Sequence, residues 1–213
     1  AGEGTDTPEG GSLSEGPETA LQTVSSLEEL LQAIEQAEAG ATIGIGCEIV
    51  CPDGTVLGDT YKRVTLQRTA PEGHISTYSP DGTGNVIIQA IDFDGGNVEA
   101  TTPFVQASIS TAYSECHFSD CTAGAVEADN GDQNFGYCVF ERNTAQYGAH
   151  IRINGGSANL FNCVLGRGTA TIRGGAIACY TDQEVTLEKC SIWENTAAQH
   201  GGAIWNRGKL TIT

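Results

Sequence analysis

Asp92 and Asp94 sit two residues apart in the stretch Ile91-Asp92-Phe93-Asp94, where apolar and acidic side chains alternate. In an extended strand that spacing puts both carboxylates on one face. Glu141 and Arg142 recur at the corresponding place two repeats later, and His117 falls beside Asp92. Clustered carboxylates can hold Ca²⁺, and with an Arg or Lys base beside them they would suit a polysaccharide lyase. Two carboxylates at the right separation would suit a glycoside hydrolase. Asp92, Asp94, Glu141 and Arg142 are therefore the catalytic candidates if the chain is an enzyme, and Asp92 and Asp94 the candidate Ca²⁺ ligands. The set is thin, because Ser119 interrupts the column between Asp94 and Glu141. A solvated acidic face explains it more simply, so the expectation is a protein without catalysis and without a cofactor.

The eight cysteines offer a second kind of chemistry, and no pair of them has Cys-x-x-Cys spacing. Cys116, Cys138, Cys163 and Cys190 recur at the repeat period in what reads as one inward column. Three readings stay open: a stack of buried thiols, disulfides between neighbours, or a metal site. Cys47 and Cys51 are the other candidate pair for a disulfide. Asn143 and Asn195 align across repeats, where a ladder of Asn satisfies backbone groups in turns. Asp120, Arg142, Arg167 and Glu194 share an outward column and are expected to pair as Asp120–Arg142 and Arg167–Glu194. Tyr61, Tyr78 and Trp193 are the candidate contact aromatics.

The element that must position all of these is a repeat of about 24 residues. One apolar column runs Ile45, Leu66, Ile88, Tyr113, Phe135, Leu160, Leu187 and Ile212. A second runs two residues earlier, from Ile43 to Leu210. A third is Ile91, Cys116, Cys138, Cys163 and Cys190, and a fourth is Phe93, Phe118, Phe140, Leu165 and Ile192. The fifth is a Gly-Ala pair at Gly124-Ala125, Gly148-Ala149, Gly175-Ala176 and Gly202-Ala203. Steps of two within a column pair mark strands, and the step of three between pairs marks a bend. Strand, bend, strand, turn, strand is one coil of a solenoid whose core exists only between stacked neighbours. A β-sandwich does not require five columns to recur at one period. The reading is an all-β, right-handed parallel β-helix of about seven coils, on the order of 35 Å long.

Residues 1–20 are Gly, Glu, Thr, Ser and Pro with almost nothing to bury and read as a disordered acidic leader. Residues 21–41 are expected to hold a capping helix, and residues 42–213 the coils. The helix signal over 25–39 is a Ser25 or Ser26 N-cap, Glu28 or Glu29 completing a capping box, an apolar face from Leu27 to Ala37, and Gly40 as the stop. Laid on the first coil, that helix would cover an edge that otherwise invites aggregation. The chain stops partway through a coil at Lys209–Thr213, which predicts further C-terminal sequence or a partner over that end. The longest irregular insertions are expected at residues 67–85 and 94–110, where recognition belongs.

The formal net charge is −17, and residues 1–40 hold nine acids and no Lys or Arg. Such a surface repels nucleic acid and anionic lipid. No apolar run reaches the roughly 20 residues of a membrane helix, so no membrane insertion is expected in this segment. Acidic polysaccharides are expected to be repelled unless a divalent cation bridges them.

Two motifs carry a family resemblance. Phe140-Glu141-Arg142-Asn143 is echoed by Ile192-Trp193-Glu194-Asn195, and Gly174-Gly175-Ala176-Ile177 recurs at Gly201-Gly202-Ala203-Ile204. Over roughly residues 85–213 this resembles the FxxN…GGAI repeat of polymorphic outer-membrane proteins and related autotransporter-type β-helix adhesins. The chain departs from it at Cys121 and Gly168, which stand where Asn would, and at His150, read as replacing the Ile. The resemblance implies a bacterial, surface-exposed or secreted passenger β-helix in adhesion, binding glycans or host-surface proteins. The alternatives are a polysaccharide lyase or glycoside hydrolase on the same fold, and a structural spacer of a larger surface protein.

Overall fold

The computed structural model describes residues 21–213; the expected leader at 1–20 lies outside the described residues. The chain winds into a parallel β-helix built of three long sheets. The first holds eight strands: Thr23–Val24, Thr42–Ile45, Val64–Arg68, Ile91–Asp94, His117–Ser119, Val139–Glu141, Val164–Gly166 and Ser191–Trp193. The second holds seven, from Val56–Leu57 through Asn85–Gln89, Ser110–Ser114, Gln133–Gly136, Ala158–Phe161 and Glu184–Glu188 to Lys209–Ile212. The third also holds seven, from Glu48–Pro52 and His74–Tyr78 through Val105–Ala107, Val126–Ala128, Ile151–Ile153 and Ile177–Cys179 to Ile204–Asn206. Every strand pairs parallel with its counterpart one coil away, so like positions stack directly.

That stacking is why the period is legible. Phe93, Phe118 and Phe140 lie face to face with ring centroids 4.6 and 4.8 Å apart. Tyr113 stacks on Phe135 at 4.4 Å, and the two ladders meet edge-on. All five rings are buried. Apolar area removed from water drives this, with a further contribution from aromatic geometry.

The bends are single residues. Ala90, Glu115, Tyr137, Asn162 and Lys189 turn the chain from the second sheet into the first with φ between 51° and 56°. Asp120, Arg142, Arg167 and Glu194 leave the first sheet with φ of 50–56°. A left-handed L-residue costs roughly 1–2 kcal/mol, so these corners persist because the ladders on both sides hold them.

The column assignment needs correction at the start of the chain. Ile88 onward stack as expected, but the member before Ile88 is Leu57. Leu66 pairs instead with Phe93, and Ile45 with Arg68, in the first sheet. The cause is the extra turn at Gly58–Lys62, closed by an Asp59–Lys62 bridge, which shifts the spacing of the early coils. Residues 67–85 are likewise no insertion, because they contain the third-sheet strand His74–Tyr78. The irregular stretch within 94–110 is 95–104, before Val105–Ala107.

The helix spans Leu27–Gln36, shorter than the 25–39 expected. Ser26 caps it by accepting from the Glu29 amide at 3.2 Å, while the Glu29 carboxylate takes the amide and hydroxyl of Ser25 at 2.8 and 2.9 Å. Leu30, Ala33 and Ile34 are its buried face, packed on the first strands of the first and third sheets. Gly40 is not the helix stop but sits in the following turn with φ +83°.

From the coil containing Asn143 onward, a fourth, three-stranded sheet intervenes between the first and third: Thr144–Tyr147, Thr169–Arg173 and Thr196–Ala197. Its angle to the third sheet is set by Gly148, Gly174 and Gly201, each left-handed with φ of 54–63°. A Cβ on Gly174 would lie 2.1 Å from the Ile177 carbonyl oxygen, so only glycine makes this turn.

Candidate functional site

The acidic candidates on the first sheet do stack. Asp94, Ser119 and Glu141 are consecutive in register, as are Asp92 and His117. Each carboxylate is engaged, however. Asp92 pairs with Arg63, which also donates to the Glu115 carbonyl at 2.7 Å. Asp94 accepts from the Gln67 side chain and the Gly96 amide, both at 2.8 Å. Glu141 binds Arg142 at 2.9 Å, and Arg142 also makes two bonds to Asp120 at 2.8 and 2.9 Å. Asp120 first and then Glu141 hold Arg142 firmly protonated, which is the wrong state for a base. Among the described residues, no group of three or more His, Cys, Asp or Glu side chains is placed to hold a metal ion. Arg167 meets Glu194 at 3.4 Å.

All eight cysteines are free thiols. In the four-membered column each Sγ lies against two carbonyls, one in its own coil and one in the preceding coil. Cys138, for example, donates toward Tyr113 O at 3.6 Å and Gly136 O at 3.4 Å. Cys116, Cys163 and Cys190 repeat this pattern, so the thiols cap carbonyls at the bend. Cys47 and Cys51, the candidate disulfide pair, are both free. Cys51 faces the core from strand Glu48–Pro52 and Cys47 immediately precedes it. Four extended residues separate their Cα atoms by roughly 13 Å, about twice the reach of a disulfide. Cys47 instead points at the Ser25 carbonyl, 3.7 Å away.

Asn143 and Asn195 do more than satisfy turns. Asn143 Oδ1 accepts from the Cys121 amide at 3.0 Å, and its Nδ2 donates to Phe118 O at 3.0 Å. Asn195 repeats this with Gly168 N at 2.7 Å and Leu165 O at 2.8 Å. His150 joins them. Its Nδ1 lies 3.0 Å from Asn143 Nδ2 and its Nε2 3.1 Å from Asn195 Oδ1. Since the amide nitrogen can only donate, the proton belongs on Nε2. The ring is fully buried, and burial pushes its pKa down to about 4. Gly168 makes room, because a Cβ there would stand 2.7 Å from His150 Nε2. His150 does not replace the Ile of the motif. Register pairs Ile151 with Ile177, so His150 takes the place of Ala125 and Ala176.

The three contact aromatics are not brought together. Tyr61 is 96% exposed in the turn before the strand Val64–Arg68. Tyr78 ends a third-sheet strand. Trp193 lies on the outer face of the first sheet, packed over Gly166 and under Arg167, whose guanidinium is 4.8 Å from the ring.

The aromatics that do cluster are others. Where the fourth sheet meets the outer face of the third, a groove of about 500 Å³ opens. Its walls include Thr101, Thr122, Glu127, Thr144, Tyr147 and Arg152. At one side Thr122 pins the 95–104 loop by donating to Val98 O at 2.6 Å and accepting from the Ala100 amide at 3.0 Å. Arg152 spans the groove, paired with Glu127 at 3.2 Å and lying over Tyr147 at 5.2 Å and Tyr180 at 5.6 Å. Beyond it the shelf continues. Tyr147 meets Tyr180 edge-on at 5.7 Å, Tyr180 leans on Trp205 at 4.6 Å, and Arg173 lies over Trp205 at 4.9 Å. Ala178, between Arg152 and Trp205 in register, leaves the space these rings fill.

Three polar atoms in this cluster, Arg152 Nε, Arg173 Nε and Tyr180 Oη, are covered yet have no hydrogen-bond partner. Burial, the largest effect, holds the Tyr180 phenol above its ordinary pKa despite the two arginines. A covered, unpaired donor costs about 1–3 kcal/mol. The sequence held one signal of this site, the arginines and aromatics of residues 147–205, but their offsets cross two sheets and follow no single column. No protein-family model matches the chain, and neither a curated protein nor a solved structure does.

Proposed function

We propose that the chain is an adhesin-like binding rod, displayed on a bacterial surface or secreted, that engages a glycan, free or on a host protein, through the lateral groove. The observation that carries this reading is the shelf of Tyr147, Tyr180 and Trp205 interleaved with Arg152 and Arg173, with hydrogen-bonding capacity left unspent. Aromatic faces stack on the apolar faces of sugar rings, and arginines supply fixed donors at the rim. The groove is built on strands rather than on loops alone, which keeps such a surface in shape before a ligand arrives. Catalysis is the weaker reading, because Asp92, Asp94 and Glu141 are engaged by Arg63, Gln67 and Arg142.

The test mixes the protein with immobilised mucin glycoproteins and a panel of neutral and acidic polysaccharides, recording bound mass and substrate chain length. Binding without shortening, reduced tenfold or more in Trp205→Ala, is the expected outcome. Shortening of any substrate would replace the adhesin with a lyase or hydrolase. Absence of binding would leave a structural spacer.

A further inference from the structure

The groove runs against the charge of the molecule. The chain has ten Lys and Arg against 27 Asp and Glu. Seven of those cations, Arg152 among them, sit within ion-pair distance of a carboxylate. Lys62 donates to the Glu35 carbonyl, and the buried Arg68 donates to the carbonyls of Thr102 and Pro103. Arg173 is the tenth. Among the described residues it has no carboxylate partner, and its Nε is covered and unbonded. It lies over the Trp205 ring and beside the Tyr180 hydroxyl.

A guanidinium left over in a chain with 17 more acids than bases is not explained by folding. Its planar fork matches a carboxylate with two parallel hydrogen bonds. With Arg173 drawn off it, the half-buried Trp205 ring would offer a sugar a stacking face at the same place. The net negative charge does not forbid this, because at physiological salt charges more than about 8 Å away are largely screened. Close by, Arg152 pairs with Glu127, and among the described residues Arg173 has no ion-pair partner.

We infer that the groove and the shelf beyond it take a sugar bearing a carboxylate, with the sugar ring on the shelf of Tyr180 and Trp205 and the carboxylate on Arg173. This rests on the groove being the glycan site proposed above. An anion that draws Arg173 outward also satisfies donors that now have no partner.

The experiment is titration calorimetry on the whole chain with matched probes. Tetragalacturonate is compared with its carboxyl-reduced counterpart, and sialyllactose with lactose, which separates a uronic-acid from a sialic-acid source. At least one carboxylated probe is expected to bind about tenfold or more tighter than its neutral partner, and to weaken as salt is raised. Arg173→Gln should lower the affinity of the carboxylated probe to that of its neutral partner. Arg173→Lys, which keeps the charge without the fork, should fall between. Trp205→Ala should weaken both members of a pair, and thermal midpoints confirm that each variant is folded. Equal affinity within both pairs overturns the carboxylate and leaves the glycan groove standing, as does a difference that survives in Arg173→Gln. If no member of either pair binds, the inference and the glycan reading fall together.

Discussion

His150 fastens one coil to another through both ring nitrogens, and a proton cannot be added to it without breaking the contact to Asn143. The folded ring takes its proton only near pH 4, whereas an unfolded histidine takes it near 6.5. The group is a base with a depressed pKa, so the unfolded state binds the proton first as pH falls. Its contribution is complete above about pH 6.5 and is lost progressively down to about 4. Between pH 7 and pH 5 this amounts to about 2 kcal/mol. Urea unfolding of the protein and of His150→Gln at both pH values checks it, and the variant should lose less stability over that interval. An equal loss in both would mean that the titration lies elsewhere. The sequence did not point to this network. The string Gly148-Ala149-His150-Ile151 imitates the Gly-Ala pair one position early, so a polar residue in a small-residue column looked like a replaced isoleucine.

At the scale of the element, the glycines divide into those the fold requires and those it tolerates. Gly175 lies where a Cβ would stand 2.1 Å from Gly202 O and 2.5 Å from Thr196 N, both backbone atoms of the next coil. Gly175→Ala should therefore cost about 1–3 kcal/mol and loosen the fourth sheet against the third. Gly136, in the second-sheet strand Gln133–Gly136, has only Tyr113 O near its absent Cβ, at 3.9 Å. Gly136→Ala should be neutral or stabilising by up to about 1 kcal/mol. Urea midpoints separate the two, and a neutral Gly175→Ala would mean the coils can part there at no cost. The same contrast explains what was legible. Strands that stack identical positions, such as Phe93, Phe118 and Phe140, print their period in the sequence. The fourth sheet, with a register shift between Ala145 and Tyr147, does not. Nor does the early coil, where the Gly58–Lys62 turn makes Leu57, not Leu66, the neighbour of Ile88 in the column. The groove depends on both the fourth sheet and the corners beside it, which is why its aromatics escaped a reading by columns while the fold did not.

Taken as a whole, the molecule is a one-dimensional object: the sheets pair each coil with its neighbours, and the cores of adjacent coils are continuous. In parallel sheets stacked this way, the backbone hydrogen bonds run from coil to coil, along the rod. In the function proposed above the rod is a tether, and a tether carries load. Tension between its two ends meets those bonds in series, so an end coil can peel while the rest stays wound. Each released coil of about 25 residues would pay out roughly 80 Å of chain. Single-molecule pulling should then record a train of small, evenly spaced yields rather than one abrupt rupture. A single rupture would show instead that the aromatic ladders bind the coils into one mechanical unit. Stepwise yielding would make the rod a shock absorber, lengthening under drag while the bound end keeps its grip.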